Sequence, residues 1–157
     1  MAPQTVILLR HAEKPANPDD PHLSPAGRVR AQKLANWLPH ELGAEPDVIL
    51  AAASKLSQRP YETVMPLAAA LHLPIDTFFA DQDHRALAHD LLTEARYASK
   101  LIALCWNHKH LPALARELGA PEGSYPDPWP EELFNLILRF DFAAATPVKV
   151  AQLTEQL

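Results

Sequence analysis

Three segments of this 157-residue chain hold side chains suited to an anionic, phosphate-like group. Arg10 and His11 end the apolar run "TVILL" (5–9). Arg59 lies in "SQRPYET", and Asn107 and His108 follow "LIALCW" (101–106). A planar guanidinium pairs bidentately with phosphate oxygens. A neutral imidazole is a good nucleophile toward phosphorus, and positive neighbours keep it neutral by lowering its pKa. This gives a two-step scheme: His11 accepts a phosphoryl group, and water then removes it. The arginines and His108 would carry the charge on the equatorial oxygens. They supply the neutralisation, so the scheme needs neither metal nor cofactor.

These groups must come from one end of a sheet. Five segments read as strands: 5–9, 47–52, 74–79, 101–106 and 133–140. The first, second and fourth are continuous apolar runs, as expected of strands covered on both faces. Helical patterns alternate with them. "LSPAGRVRAQKLANWL" opens with Ser24 as N-cap and Pro25 at the first turn, and Pro39 is expected to kink or end it before Gly43. A second helix starts near "SQRPYETVMP" and is expected to bend at Pro66. Residues 84–98 and 109–118 read as two more. "PEGSYPDPWP" (121–130) reads as a proline-rich loop pinned by Trp129, and "VKVAQLTEQL" fits a strand or a helix. Alternation implies an α/β fold with a mostly parallel sheet and helices on both faces, a single domain over 1–157. Ligands in such sheets bind beyond the carboxyl ends of the strands, where Arg10, His11, Arg59 and His108 fall.

The motifs resemble those of the histidine phosphatase superfamily, which includes the cofactor-dependent phosphoglycerate mutases. "LLRHAEK" is similar to its Arg-His-Gly signature, with Ala12 for the glycine. "LSPAGRVRAQ" resembles its Leu-Thr-x-x-Gly helix start. Arg59 and Thr63 match its Arg-x-x-x-Thr pattern, and "CWNH" the branch that reads Cys-Trp-Glu-His. The resemblance spans roughly 5–140. It implies a three-layer α/β/α sandwich of phosphoglycerate mutase-like fold. It implies His11 as phosphorylated nucleophile, with His108, Arg10 and Arg59 completing the pocket and Asn17 joining them. Shifting the register puts Asn107 in place of His108, but asparagine cannot carry the charge. Asn107 stands where that branch has an acid. Candidate proton donors are then Glu13, Asp81 and Asp83, although Glu13 also suits an ion pair. Without an acid, activated phosphates such as phosphohistidine or acyl phosphates are favoured. The expected activity is that of a phosphoric monoester hydrolase. The alternative is a phospho-ligand-binding domain without turnover.

Composition trims the remaining classes. A net charge of −5 disfavours a broad nucleic-acid face, leaving a small phosphorylated substrate or a phosphoprotein as partner. No apolar run nears the roughly 20 residues that span a bilayer, and no signal-peptide pattern opens the chain, so a cytoplasmic protein is expected. The lone Cys105 permits no intrachain disulfide. His108 and His110 form a His-x-His pair, but no cysteine or paired acid completes a metal set. The composition sets no subunit number.

Overall fold

A computed structural model describes residues 2–142 and 147–157. The described elements are β1 (Thr5–Arg10), α1 (Pro25–Leu42), β2 (Val48–Ala51), α2 (Arg59–Leu71), β3 (Ile75–Asp76), α3 (His84–Thr93), β4 (Leu101–Trp106), α4 (Leu111–Glu117), β5 (Leu136–Asp141) and β6 (Lys149–Thr154). The sheet order is β3-β2-β4-β1-β5-β6. Its first four strands are parallel, while β5 and β6 run antiparallel to their neighbours.

Period-two alternation sends side chains to opposite faces of each strand. Val6 and Leu8 of β1 join Ile102, Leu104 and Trp106 of β4 on one face, under α3 and α4. Ile7 and Leu9 join Ala103 and Cys105 on the other, under α1 and α2. Both faces are therefore dry, which explains the unbroken apolar runs. The result is the expected three-layer sandwich, with the antiparallel pair β5–β6 on the edge beyond β1.

Several boundaries differ from the sequence reading. The α1 helix runs on through Pro39 to Leu42, where Gly43 closes it in the left-handed conformation at φ 65°. Proline loses only one hydrogen bond this close to the end, and the last turn absorbs that loss. The α2 helix runs through Pro66 to Leu71, the extent expected for it. The third helix stops at Thr93 and passes into a 3-10 turn over Ala95–Tyr97. The strand read over 74–79 shrinks to two residues, and the one read over 133–140 starts at Leu136. The ambiguous tail becomes β6, paired residue by residue with β5.

The entry to α1 fixes the chain after β1. Ser24 caps the helix by accepting from the Gly27 N–H at 3.0 Å, and its own N–H and hydroxyl both donate to the Glu13 carbonyl. A Cβ placed on Gly27 would lie 2.4 Å from the Glu13 oxygen and 3.0 Å from its nitrogen. Backbone cannot retreat as a flexible side chain can. Gly27→Ala is therefore expected to cost about 1–3 kcal/mol by overpacking, read as a lower midpoint in denaturant unfolding. An unchanged midpoint would show that the loop can give way.

Candidate active site

Parallel pairing puts the ends of β1 and β4 side by side. Arg10 is in register with Trp106, and the His11 N–H donates to the Trp106 carbonyl at 3.1 Å. Arg10-His11 and Asn107-His108 therefore leave the sheet together. The start of α2 reaches the same edge: Thr63 donates its hydroxyl to the Arg59 carbonyl at 2.7 Å and accepts the Ala12 N–H at 2.9 Å. One threonine thus ties the residue after His11 to the helix turn bearing Arg59.

Arg10 is 1% exposed. Its Nη1 donates to the carbonyls of Pro130, Glu131 and Leu133 at 3.3, 2.6 and 3.1 Å. Its Nη2 meets His108 Nδ1 at 3.3 Å, and the guanidinium carbon stands 3.9 Å above the centre of the Phe134 ring. Arginine can only donate, so His108 Nδ1 accepts, and the His108 proton sits on Nε2. Arg10 Nε is buried and has no partner among the described residues. Desolvation lowers the Arg10 pKa to about 10, against the pull of Glu131, Glu132 and Glu13, so the group stays cationic at neutral pH.

His11 is 4% exposed, and its Nδ1 lies 2.7 Å from the Ala12 carbonyl. A carbonyl only accepts, so Nδ1 holds the proton and Nε2 keeps a bare lone pair. Burial lowers the His11 pKa to about 4, with Arg10, Arg59 and His108 adding to the effect and the Ala12 hydrogen bond opposing it. His108 is also lowered to about 4, first by desolvation and then by Arg10 and Lys14. Both imidazoles are neutral at pH 7. Unfolded histidines bind protons near pH 6.5, whereas these two resist until about 4. The stability they confer is thus complete above pH 6.5 and lost as pH falls toward 4. The His11 ring resonances should titrate with a midpoint near 4 in the ligand-free protein; a midpoint near 6.5 would contradict this environment.

Arg59 donates to the carbonyls of His22 (3.1 Å) and Asp20. It borders a cleft of about 640 Å³ together with Lys14, Glu131, Glu132 and Phe134. A second cleft of about 510 Å³ lies against His108, Lys109, Arg116 and Trp129, and Glu131 lines both. The Lys14 ammonium pairs with Glu131 at 3.0 Å on the rim.

The structure thus places Arg10 against His108, and Arg10, Arg59 and His108 near enough to His11 to lower its pKa. Of the other expected residues, Glu13 lines the Arg59 cleft with its carboxylate turned to Arg30, while Asn17, Asp81 and Asp83 stand apart. Asn17 is exposed, and its Oδ1 accepts the Asp19 N–H in a local turn. The Glu13 carboxylate is gripped by Arg30 at 2.8 and 3.0 Å. Burial pushes Glu13 up, but the Arg30 hydrogen bonds outweigh it and hold the group ionised, unfit to give a proton. Asp81 accepts from the Asn107 side-chain amide at 2.8 Å, and Asp83 stands at the N-terminus of α3. Neither aspartate lines the clefts bordered by Arg59 and by His108. The His110 ring packs 5.4 Å from that of His84, which pairs with Glu117. The sequence reading gave the stretch Pro130–Phe134 no part in the site. Its contribution is mostly backbone carbonyl, which no side-chain pattern announces; Trp129, buried and donating to the Leu133 carbonyl at 3.2 Å, was its only herald.

The family model for the histidine phosphatase superfamily, branch 1, matches residues 6–80. Over this segment, just under half of the chain, the sequence is similar to that superfamily. The segment includes Arg10, His11, Gly27, Arg59 and Thr63; His108 lies beyond it. Solved structures share a phosphoglycerate mutase-like fold with nearly the whole chain. A SixA protein of Agrobacterium tumefaciens is 20% identical at TM-score 0.66, covering 97% of this chain and 98% of its own. The protein histidine phosphatase SixA complexed with tungstate is 15% identical at TM-score 0.63, covering 96% of both chains. A mycobacterial glucosyl-3-phosphoglycerate phosphatase with inorganic phosphate is 15% identical at TM-score 0.60, covering 95% of both. No curated protein matches the chain.

Proposed function

We propose that this chain is a metal-independent phosphatase that passes a phosphoryl group through His11 Nε2 to water. The observation that carries the reading is the tautomer: Nδ1–H is spent on the Ala12 carbonyl, so the nucleophilic lone pair is on Nε2. The unpartnered Arg10 Nε, the cationic Arg59 and the His108 Nε2–H are donors suited to three phosphate oxygens. In the first step the Nε2–P bond forms as the bond to the leaving oxygen or nitrogen breaks, and the leaving group departs with that electron pair. Water then attacks phosphorus, the N–P pair returns to Nε2, and the proton from water passes to solvent.

The leaving group receives little help in this scheme. Glu13 is locked on Arg30, and Glu131 is held ionised by its hydrogen bond to Lys14. We therefore assign activated phosphates as the substrates: phosphohistidine on a protein, or a small acyl phosphate. A phosphohistidine peptide should turn over about 100-fold faster than a sugar phosphate, the size of one lost general-acid contribution. Faster hydrolysis of the sugar phosphate would refute this. The Asn107–Asp81 pairing, where an acid was expected beside His108, favours a second reading: a phospho-ligand-binding domain. Phosphate release from an aryl phosphate, absent in His11→Ala, decides for the enzyme; no release from either protein decides for the binder.

A further inference from the structure

The far end of the chain reaches under the His11 loop. Glu155 follows β6, and its N–H donates to the Asn135 carbonyl at 2.8 Å. Its side chain is 1% exposed and meets Arg30 Nη1 at 3.2 Å. The other edge of the same guanidinium holds both oxygens of Glu13, two residues beyond His11. Arg30 therefore bridges two carboxylates, one from the loop and one from the tail. Burying an acid is costly: burial pushes Glu155 up to about 7 against the pull of Arg30. A tail that needed only to close a sheet edge would do so more cheaply with an apolar residue.

We propose that Glu155 is a positioning residue for the candidate site, holding Arg30 so that Arg30 fixes Glu13 and with it the His11 backbone. The loop is clamped at three adjacent points. Thr63 takes the Ala12 N–H, Ser24 holds the Glu13 carbonyl, and Arg30 holds the Glu13 carboxylate. Only the last depends on a group from the C-terminal tail. Without Glu155, Arg30 keeps one partner and gains freedom to swing, and the loop loosens by the same motion.

The inference rests on the phosphatase reading, but its test does not require turnover. Tungstate affinity by calorimetry and the His11 ring-nitrogen signals are measured for wild type, Glu155→Ala, Glu155→Gln and Leu153→Ala. Leu153 of β6, two residues before Glu155, packs on the core and serves as a stability control. Glu155→Ala should weaken tungstate about tenfold and blur the single Nδ1–H tautomer, as expected for a small displacement of a preorganised group. Glu155→Gln, which keeps an oxygen for Arg30 but loses the charge, should bind tungstate measurably more weakly than wild type though less so than Glu155→Ala, and it remains informative if the alanine variant does not fold. Leu153→Ala should lower the melting temperature but leave tungstate affinity unchanged. Wild-type affinity and His11 signals in Glu155→Gln and Glu155→Ala, or an equal loss in Leu153→Ala, would overturn the proposal. A wild type that binds tungstate but releases no phosphate would overturn the phosphatase reading alone.

Discussion

His11→Ala should lower aryl-phosphate hydrolysis by at least about 10³-fold, an effect of about 4 kcal/mol on the barrier. The variant loses the Nε2 lone pair, and no neighbour can replace it. His108 is nearest in kind, but its Nδ1 already accepts from Arg10. The change also leaves the Ala12 carbonyl without its partner in a buried place. That costs about 1–3 kcal/mol of stability, so rates are compared per folded molecule. Tungstate binding should fall far less than turnover, because Arg10 and Arg59 remain. Chemical quench of the wild type should trap an acid-labile phosphoenzyme that His11→Ala lacks. A variant within tenfold of wild type would remove His11 from the chemistry.

Arg10→Lys is expected to reduce kcat/KM by about 10³-fold, near the upper range for losing one preorganised oxyanion donor, although the charge is kept. A lysine ammonium has three donors on a flexible stem and no planar face. It cannot serve three carbonyls of residues 130–133, His108 Nδ1 and the Phe134 ring at once, and it has no Nε to offer phosphate. Two consequences should appear together. Activity falls, and the 121–134 loop becomes easier to cleave by protease. Loss of activity with an unchanged loop would make Arg10 a phosphate ligand only. A variant within tenfold of wild type, loop intact, would contradict both roles.

The two variants separate what could be read from sequence from what could not. Continuous apolar runs located β1, β2 and β4, and period-3.6 patterns located the helices, since these elements bury whole faces. The short β3 and the late start of β5 were misjudged, because apolar residues such as Phe78 and Leu133 continue the pattern beyond the last ladder bond. Phe78 ends up 80% exposed. Within the site, Arg10, His11, Arg59 and His108 were legible, because each follows a strand or opens a helix at the same sheet edge. Asn17 was misplaced because its loop carries Pro15, Pro18 and Pro21, and register across such a loop depends on turns that counting cannot supply. Asp81 and Glu13 have the chemistry of acids, but pairing with Asn107 and Arg30 decides their state. Such pairing joins residues 17, 26 and 142 positions apart, the last being Glu13 with Glu155 through Arg30. No local pattern encodes it.

The central claim is that cations from separate parts of the chain surround one imidazole whose Nε2 is free to meet phosphorus. A crystal structure of the vanadate complex tests it most directly. The account predicts vanadium within bonding distance of His11 Nε2, with its oxygens accepting from Arg10 Nε, Arg59 and His108 Nε2. Vanadate bound elsewhere, or at His11 with Arg59 and His108 turned away, would contradict it.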